Sequence, residues 1–91
     1  MGLNGRVALI TGGSGDIGRA IAIRLGQAGA EVIITYVGAT EAAEQTCQAV
    51  IKDGGHCRAV QLDQRDGAQI DAVVQAIAAE EGKLDIMVNN A

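Results

Sequence analysis

The sequence has no proline, tryptophan or phenylalanine, one tyrosine (Tyr36), one histidine (His56) and two cysteines in 91 residues. The missing proline excludes collagen-like and Pro-rich linker character. The missing large aromatics leave Ile, Val, Leu and Ala to build the core. Cys47 and Cys57 exclude a disulfide framework and lack metal-ligand spacing, so they read as isolated, half-buried thiols in a reducing, cytoplasmic setting. Positive charge is also scarce: seven Lys and Arg stand against eleven Asp and Glu, for a net charge of −4. That balance excludes the basic footprint of a nucleic-acid or anionic-membrane binder. No apolar run approaches the roughly 20 residues of a membrane-spanning helix. Nor does the start carry a charged-then-apolar leader. Met1-Gly2 opens like a myristoylation signal, but Arg6 stands where Ser or Thr is required.

The residues that are present describe a globular chain, 48% hydrophobic and 20% charged, long enough for one small domain at most. Thirteen glycines are about twice the usual share of roughly 7%, so the backbone needs tight turns or close approaches. Val7 to Ile10 is a short continuous apolar run ending in Thr11-Gly12-Gly13, as in a strand covered on both faces. Ile17, Ile21, Leu25 and Ala28 follow at helical spacing, with Gly29 as the stop. Val32 to Thr35 is β-branched throughout and reads as a second buried strand. Thr40 is placed to cap a second helix with a stripe of Ala43, Cys47, Val50 and Ile51, ended by Gly54-Gly55. His56 falls in the turn before a third strand, Cys57 to Leu62. Asp66 opens a third helix with Gln69 in capping-box position, a stripe of Ile70, Val73, Val74 and Ile77, and Gly82 as its end. Leu84 to Asn89 is a fourth strand. The expected fold is α/β, in the order β-α-β-α-β-α-β, a parallel sheet with helices on both faces.

The strongest motif is Thr11-Gly12-Gly13-Ser14-Gly15-Asp16-Ile17-Gly18, between the first strand and the first helix. A phosphate there meets free backbone amides and the positive end of the helix dipole. Gly12 permits the turn, a middle glycine lets a ligand approach the backbone, and Gly18 lets the helix lie close to the strand. Ser14 offers a hydroxyl to a phosphate or to the helix end. The plainer alternative is a Gly-rich turn that binds nothing, and the strand-turn-helix setting favours binding over it. No Gly-Lys-Ser/Thr follows, which excludes a Walker-type phosphate loop.

On these residues, together with Asp63 after the third strand and Asn89-Asn90-Ala91 after the fourth, the chain resembles the N-terminal part of a short-chain dehydrogenase/reductase. The resemblance runs along essentially all 91 residues, and the stretch from Gly5 to Tyr36 is most similar to 3-oxoacyl-acyl-carrier-protein reductases and related ketoreductases. The family's usual Thr-Gly-x-x-x-Gly-x-Gly asks for Gly at position 16, where this chain has Asp16. Gly15 instead gives Thr-Gly-x-x-Gly-x-x-Gly, the spacing of the family's extended branch. Asp16 then reads as a helix-start carboxylate whose side chain points away from the phosphates.

The resemblance implies a Rossmann-type NAD(P)-binding domain. Its cofactor residues here are Gly12, Ser14, Gly15, Asp16, Ile17, Gly18, Tyr36, Val37, Asp63, Gln64, Asn89, Asn90 and Ala91. Asp63 is implied to accept from the adenine amino group, Gln64 to offer backbone contacts, and Asn89, Asn90 and Ala91 to line the ribose and brace the sheet. The second strand ends in Thr35-Tyr36-Val37 without the acidic residue that NAD-preferring folds place on the ribose. That tilts the choice towards NADP over NAD, with Thr40 or a backbone amide near Gly38 left to hold a 2′-phosphate. The plainer role for Tyr36 is a packing aromatic.

The family's catalytic Ser, Tyr and Lys have no counterparts in these 91 residues: the only Tyr is on the second strand, and Lys52 and Lys83 fall at helix ends. No catalytic or metal-binding residue is therefore assigned. The expectation is a partial Rossmann domain over residues 1–91, cut one residue short of the family's Asn-Asn-Ala-Gly. It would form the cofactor-binding half of an enzyme acting on a small-molecule or acyl-carrier-protein-bound carbonyl, homo-oligomeric only at full length. The alternative is a freestanding, non-catalytic nucleotide-binding or regulatory module. A flavodoxin-like response fold is disfavoured by the absence of an acidic cluster after the first strand.

Overall fold

The computed structural model describes residues 2–12, 15–38, 40–62 and 66–89. Its elements alternate as β1 (Val7–Thr11), α1 (Asp16–Gln27), β2 (Glu31–Tyr36), α2 (Thr40–Lys52), β3 (His56–Gln61), α3 (Gly67–Glu81) and β4 (Ile86–Asn89). The four strands form one parallel sheet in the order β3-β2-β1-β4. Parallel neighbours need crossovers, and each helix supplies one.

The pleat divides the core in two. Ala8, Ile10, Val32 and Ile34 point to one face and meet Ala22 of α1 and Ala43, Cys47 and Val50 of α2. Val7, Leu9 and Ile33 point to the other and meet Ile77 of α3. The chain steps outward from β1 to β3 and then crosses back to β4, so a constant crossover hand puts α3 opposite the first two helices. β1 is buried at all five positions and β2 at four of six, as their unbroken apolar runs require. Each fully buried Leu or Ile here contributes on the order of 1.5–3 kcal/mol.

The helix faces depart from the expected stripes. The buried side of α1 is Gly18, Ala22 and Gly26, while Ile21 and Leu25 only flank it and Ile17 is 69% exposed. On α2, Ala43, Cys47 and Val50 are buried as expected, but Thr46 takes the inward place of Ile51, which is 53% exposed. The cause is the close approach of the two helices. A Cβ on Gly26 would stand 2.6 Å from Val50 Cγ1, so α1 turns its small residues inward and its large apolar ones to the flanks and outward.

Helix ends follow the glycines: α1 stops before Gly29, α2 before Gly54, and Gly82 ends α3 in the left-handed conformation. Asp66 caps α3, accepting from the amides of Ala68 at 3.0 Å and Gln69 at 3.4 Å. The Gln69 side chain donates to the Asp66 carboxylate at 3.4 Å. Thr40, expected as a cap, is the first residue of α2 itself, and His56 opens β3 rather than preceding it. At the amino end of the sheet, Asp85 accepts from the Val7 amide at 2.9 Å and pairs with Arg6 at 3.6 Å and Lys83 at 3.9 Å. Among the described residues, no helix is long and apolar enough to cross a membrane, and no group of His, Cys, Asp and Glu is arranged to hold a metal ion.

Candidate functional site

β1 lies between β2 and β4, so the chain's direction of travel across the sheet reverses at β1. In open α/β sheets the crevice beyond the carboxyl ends of the strands at such a reversal is where ligands bind. Three of the expected site segments converge there: Gly12 directly follows β1, Tyr36 and Val37 stand at the end of β2, and Asn89 ends β4. The amino-end residues Lys83 and His56 are at the opposite edge, as their sequence positions indicated.

Two threonine hydroxyls hold this rim together. Gly12, at φ +70, turns the chain out of β1, and its amide donates to Thr35 Oγ1 at 3.2 Å. Thr11 Oγ1 donates to the Val88 carbonyl at 3.3 Å or to Asn89 Oδ1 at 3.2 Å, tying the end of β1 to the end of β4. Asn89 thus joins β4 to the end of β1. Thr11 and Thr35, both buried, were legible in sequence only as strand formers; a hydroxyl at the last turn-facing position of a buried strand is the signal that marks them. Thr35→Val keeps the shape but removes the acceptor. It is expected to cost about 1 kcal/mol, read as a lower urea midpoint at unchanged slope.

Helix α1 starts at this rim. Gly15 occupies its cap position with φ −82 and ψ 171, ordinary extended backbone, and its amide donates to the Gly12 carbonyl at 3.5 Å. Among the described residues nothing lies within 4 Å of where a Gly15 Cβ would project. Neither conformation nor packing therefore asks for glycine at position 15. Asp16 is exposed in the first turn, where the helix dipole favours its charge. Ile17, wrong as a core residue, is exposed beside the same turn, and Gly18 is buried against the sheet. The first-turn amides of α1 lie at this end of the sheet, and among the described residues no side chain caps them.

At the end of β2, the Tyr36 carbonyl accepts from the Leu62 amide at 2.8 Å and the Val37 carbonyl from Gln61 Nε2 at 3.1 Å. Val37 is 51% exposed, while Tyr36 packs partly against the core, matching its plainer reading. Ser14, Asp63, Gln64, Asn90 and Ala91 lie outside the described residues. A cavity of about 330 Å³ opens not at the glycine turn but between α2 and β3, with Tyr36 and Thr40 in its wall. Cys47 and Cys57 also line it, and they are not isolated: their sulfurs are 2.8 Å apart.

The sequence profile described as short chain dehydrogenase matches residues 6–91. The chain is 36% identical over 91 residues to the short-chain dehydrogenase/reductase homolog YusS of Bacillus subtilis, covering all of this chain and 84% of that protein. It is 36% identical over 84 residues to the 3-oxoacyl-[acyl-carrier-protein] reductase FabG of Staphylococcus aureus, covering 92% of this chain and 34% of the reductase. A metagenomic short-chain oxidoreductase solved in complex with NADP superposes with a TM-score of 0.94 at 34% identity, over all of this chain and 41% of that one. NAD+-bound xylitol dehydrogenase does so with a TM-score of 0.91 at 31% identity, over all of this chain and 35% of its own. The chain thus spans most of YusS but well under half of the reductase and of either solved structure.

Proposed function

The chain belongs to the short-chain dehydrogenase family, and from that premise we propose that it is the NAD(P)-binding N-terminal portion of an oxidoreductase. The whole enzyme would transfer a hydride between NAD(P)(H) and a carbonyl or alcohol, as a ketoreductase similar to 3-oxoacyl-acyl-carrier-protein reductases. The observation that carries this reading is Gly15. Its backbone is ordinary and the space above it is open among the described residues, so the absence of a side chain is explained by a ligand that must approach the main chain.

In this reading the first-turn amides of α1 hold the pyrophosphate, with the Ser14 hydroxyl beside them. Gly12 and Thr35 fix the height of that turn, and Gly18 lets the helix start lie against the sheet. Tyr36 and Val37 border the adenosine, Asp63 and Gln64 receive the adenine, and Asn89, Asn90 and Ala91 line the ribose. Asp16 and Ile17 shape the mouth of the turn. A bound nicotinamide supplies or accepts the hydride; the residues of this chain bind and orient it. The lack of a carboxylate at the end of β2 favours NADP, since nothing there repels a 2′-phosphate.

One observation favours a second reading. YusS, which this chain covers to 84%, is itself a short protein, so a freestanding nucleotide-binding module is the alternative. Titration of the 91-residue chain with NADPH and NADH, followed by nucleotide fluorescence, tests the first reading: binding is expected, tighter for NADPH, with no carbonyl reduction by this polypeptide. Binding of neither nucleotide to the folded chain would overturn the cofactor assignment. Turnover would overturn the assignment of the catalytic residues to another part of the enzyme.

A further inference from the structure

We propose that Cys47 and Cys57 form a redox site, a dithiol that a hydroperoxide converts into an intramolecular disulfide fastening helix α2 to the edge strand β3. Cys47 comes from the sheet-facing side of α2, and Cys57 from β3, where it pairs in register with Val32. Both point into the same layer of the core. Both are free thiols, and their sulfurs stand 2.8 Å apart, so closing the bond requires only a small displacement of the two side chains. Chance burial of two thiols does not require such contact. The cavity of about 330 Å³ that both residues line admits an oxidant as small as hydrogen peroxide.

The two sulfurs are not equivalent. The hydrogen bond from Cys57 lowers the Cys47 thiol below its ordinary value, against the opposing effect of burial, while the same bond and burial raise Cys57. Cys47 is therefore assigned as the attacking sulfur, reacting through its thiolate form, and Cys57 as the partner that resolves. In the first step the Cys47 thiolate attacks one peroxide oxygen, the O–O bond breaks, and hydroxide leaves as water after taking a proton. The product is a sulfenic acid on Cys47. In the second step the Cys57 sulfur attacks the sulfenic sulfur, the S–O bond breaks, and a second water leaves with the Cys57 proton. Two thiols and one peroxide give one disulfide and two waters, with two electrons passing from sulfur to oxygen. A dithiol reductant returns them.

The test uses the 91-residue chain exposed to hydrogen peroxide, in buffer and in concentrated urea, with thiol counting and intact-mass measurement. In buffer, both thiols are expected to disappear together, the mass to fall by two hydrogens, and dithiothreitol to restore both. The folded chain is expected to react about tenfold faster or more than the chain in urea, because folding holds the sulfurs in contact. Cys57→Ser is expected to stop at a sulfenic acid that dimedone traps on Cys47, and Cys47→Ser to leave Cys57 reduced. Equal rates with and without urea would overturn the proposal. So would sulfinic acid or intermolecular dimers as the main products of the folded chain. The rate comparison needs no variant and no nucleotide, so it stands apart from the cofactor reading.

Discussion

Gly15→Asp is expected to lower NADPH and NADH affinity by about 100-fold or more while leaving the fold at least as stable. The two halves of this expectation rest on separate observations. For stability, position 15 has φ −82 and ψ 171, which any residue adopts, and, among the described residues, open space where a Cβ would project. It is also the cap of α1, where Asp outranks Gly by a few tenths of a kcal/mol through a side-chain bond to the first-turn amides. For binding, those are the amides assigned to the pyrophosphate, and the new carboxylate both occupies them and repels it. Two unit charges about 4 Å apart interact by about 4 kcal/mol at an effective dielectric near 20. A loss of 100-fold requires only about 2.7 kcal/mol. Gly15→Ala gives the graded control, adding bulk without charge. Thermal unfolding and nucleotide titration of the same samples decide: wild-type affinity in a folded Gly15→Asp chain would remove glycine 15 from the site.

The contrast between Gly15 and Gly26 also shows what the sequence could and could not reveal. Strands were legible because burial on both faces demands unbroken β-branched runs, as at Val32-Ile33-Ile34, and helix ends because Gly29, Gly54 and Gly82 follow the last turn. The glycine turn was legible because its spacing belongs to a strand-turn-helix context. The helix faces were not. Ile17 and Ile51 drew attention as large apolar residues at helical spacing, yet both are exposed. The face that packs on α1 is Gly18, Ala22 and Gly26, whose low hydrophobicity hides it from any reading that follows large side chains. Thr35 was hidden for a related reason, since a threonine in a β-branched run looks like packing until its hydroxyl is seen to take the Gly12 amide. The Cys47–Cys57 contact depends on the pitch of α2 over β3, which no local pattern encodes. Family membership, by contrast, was carried by motifs spread over the whole chain, and the family match over residues 6–91 rests on the same span.

Gly26→Val is expected to destabilise the chain by about 3 kcal/mol, the largest loss among the single substitutions considered, and Val50→Ala is expected to return part of it. Glycine inside a helix is ordinarily a liability of roughly 0.5–1 kcal/mol against alanine, so on propensity alone the substitution should help. Packing decides otherwise. The Cβ itself would stand 2.6 Å from Val50 Cγ1, and Val50 is 1% exposed with the sheet beneath it. Gly55 lies at the same contact, where a Cβ would stand 2.9 Å from the same methyl and 3.3 Å from Gly26 Cα. With Val50 buried over the sheet, α1 and α2 must separate, and overpacking of this kind costs about 1–3 kcal/mol or somewhat more. A domain of this size has roughly 5–13 kcal/mol in all, so the loss shifts the melting temperature by about 12–24 °C. The helix separation would also disturb the seat of Gly18 and weaken nucleotide binding only as far as the fold is lost. Val50→Ala alone costs a cavity, but in the double variant the extra volume at 26 fills part of it, so the two effects must be non-additive by about 1 kcal/mol or more. Additive losses in urea unfolding of the single and double variants would mean that Gly26 and Val50 do not share this contact, and that the close approach of the helices is not what excludes large residues from the buried face of α1.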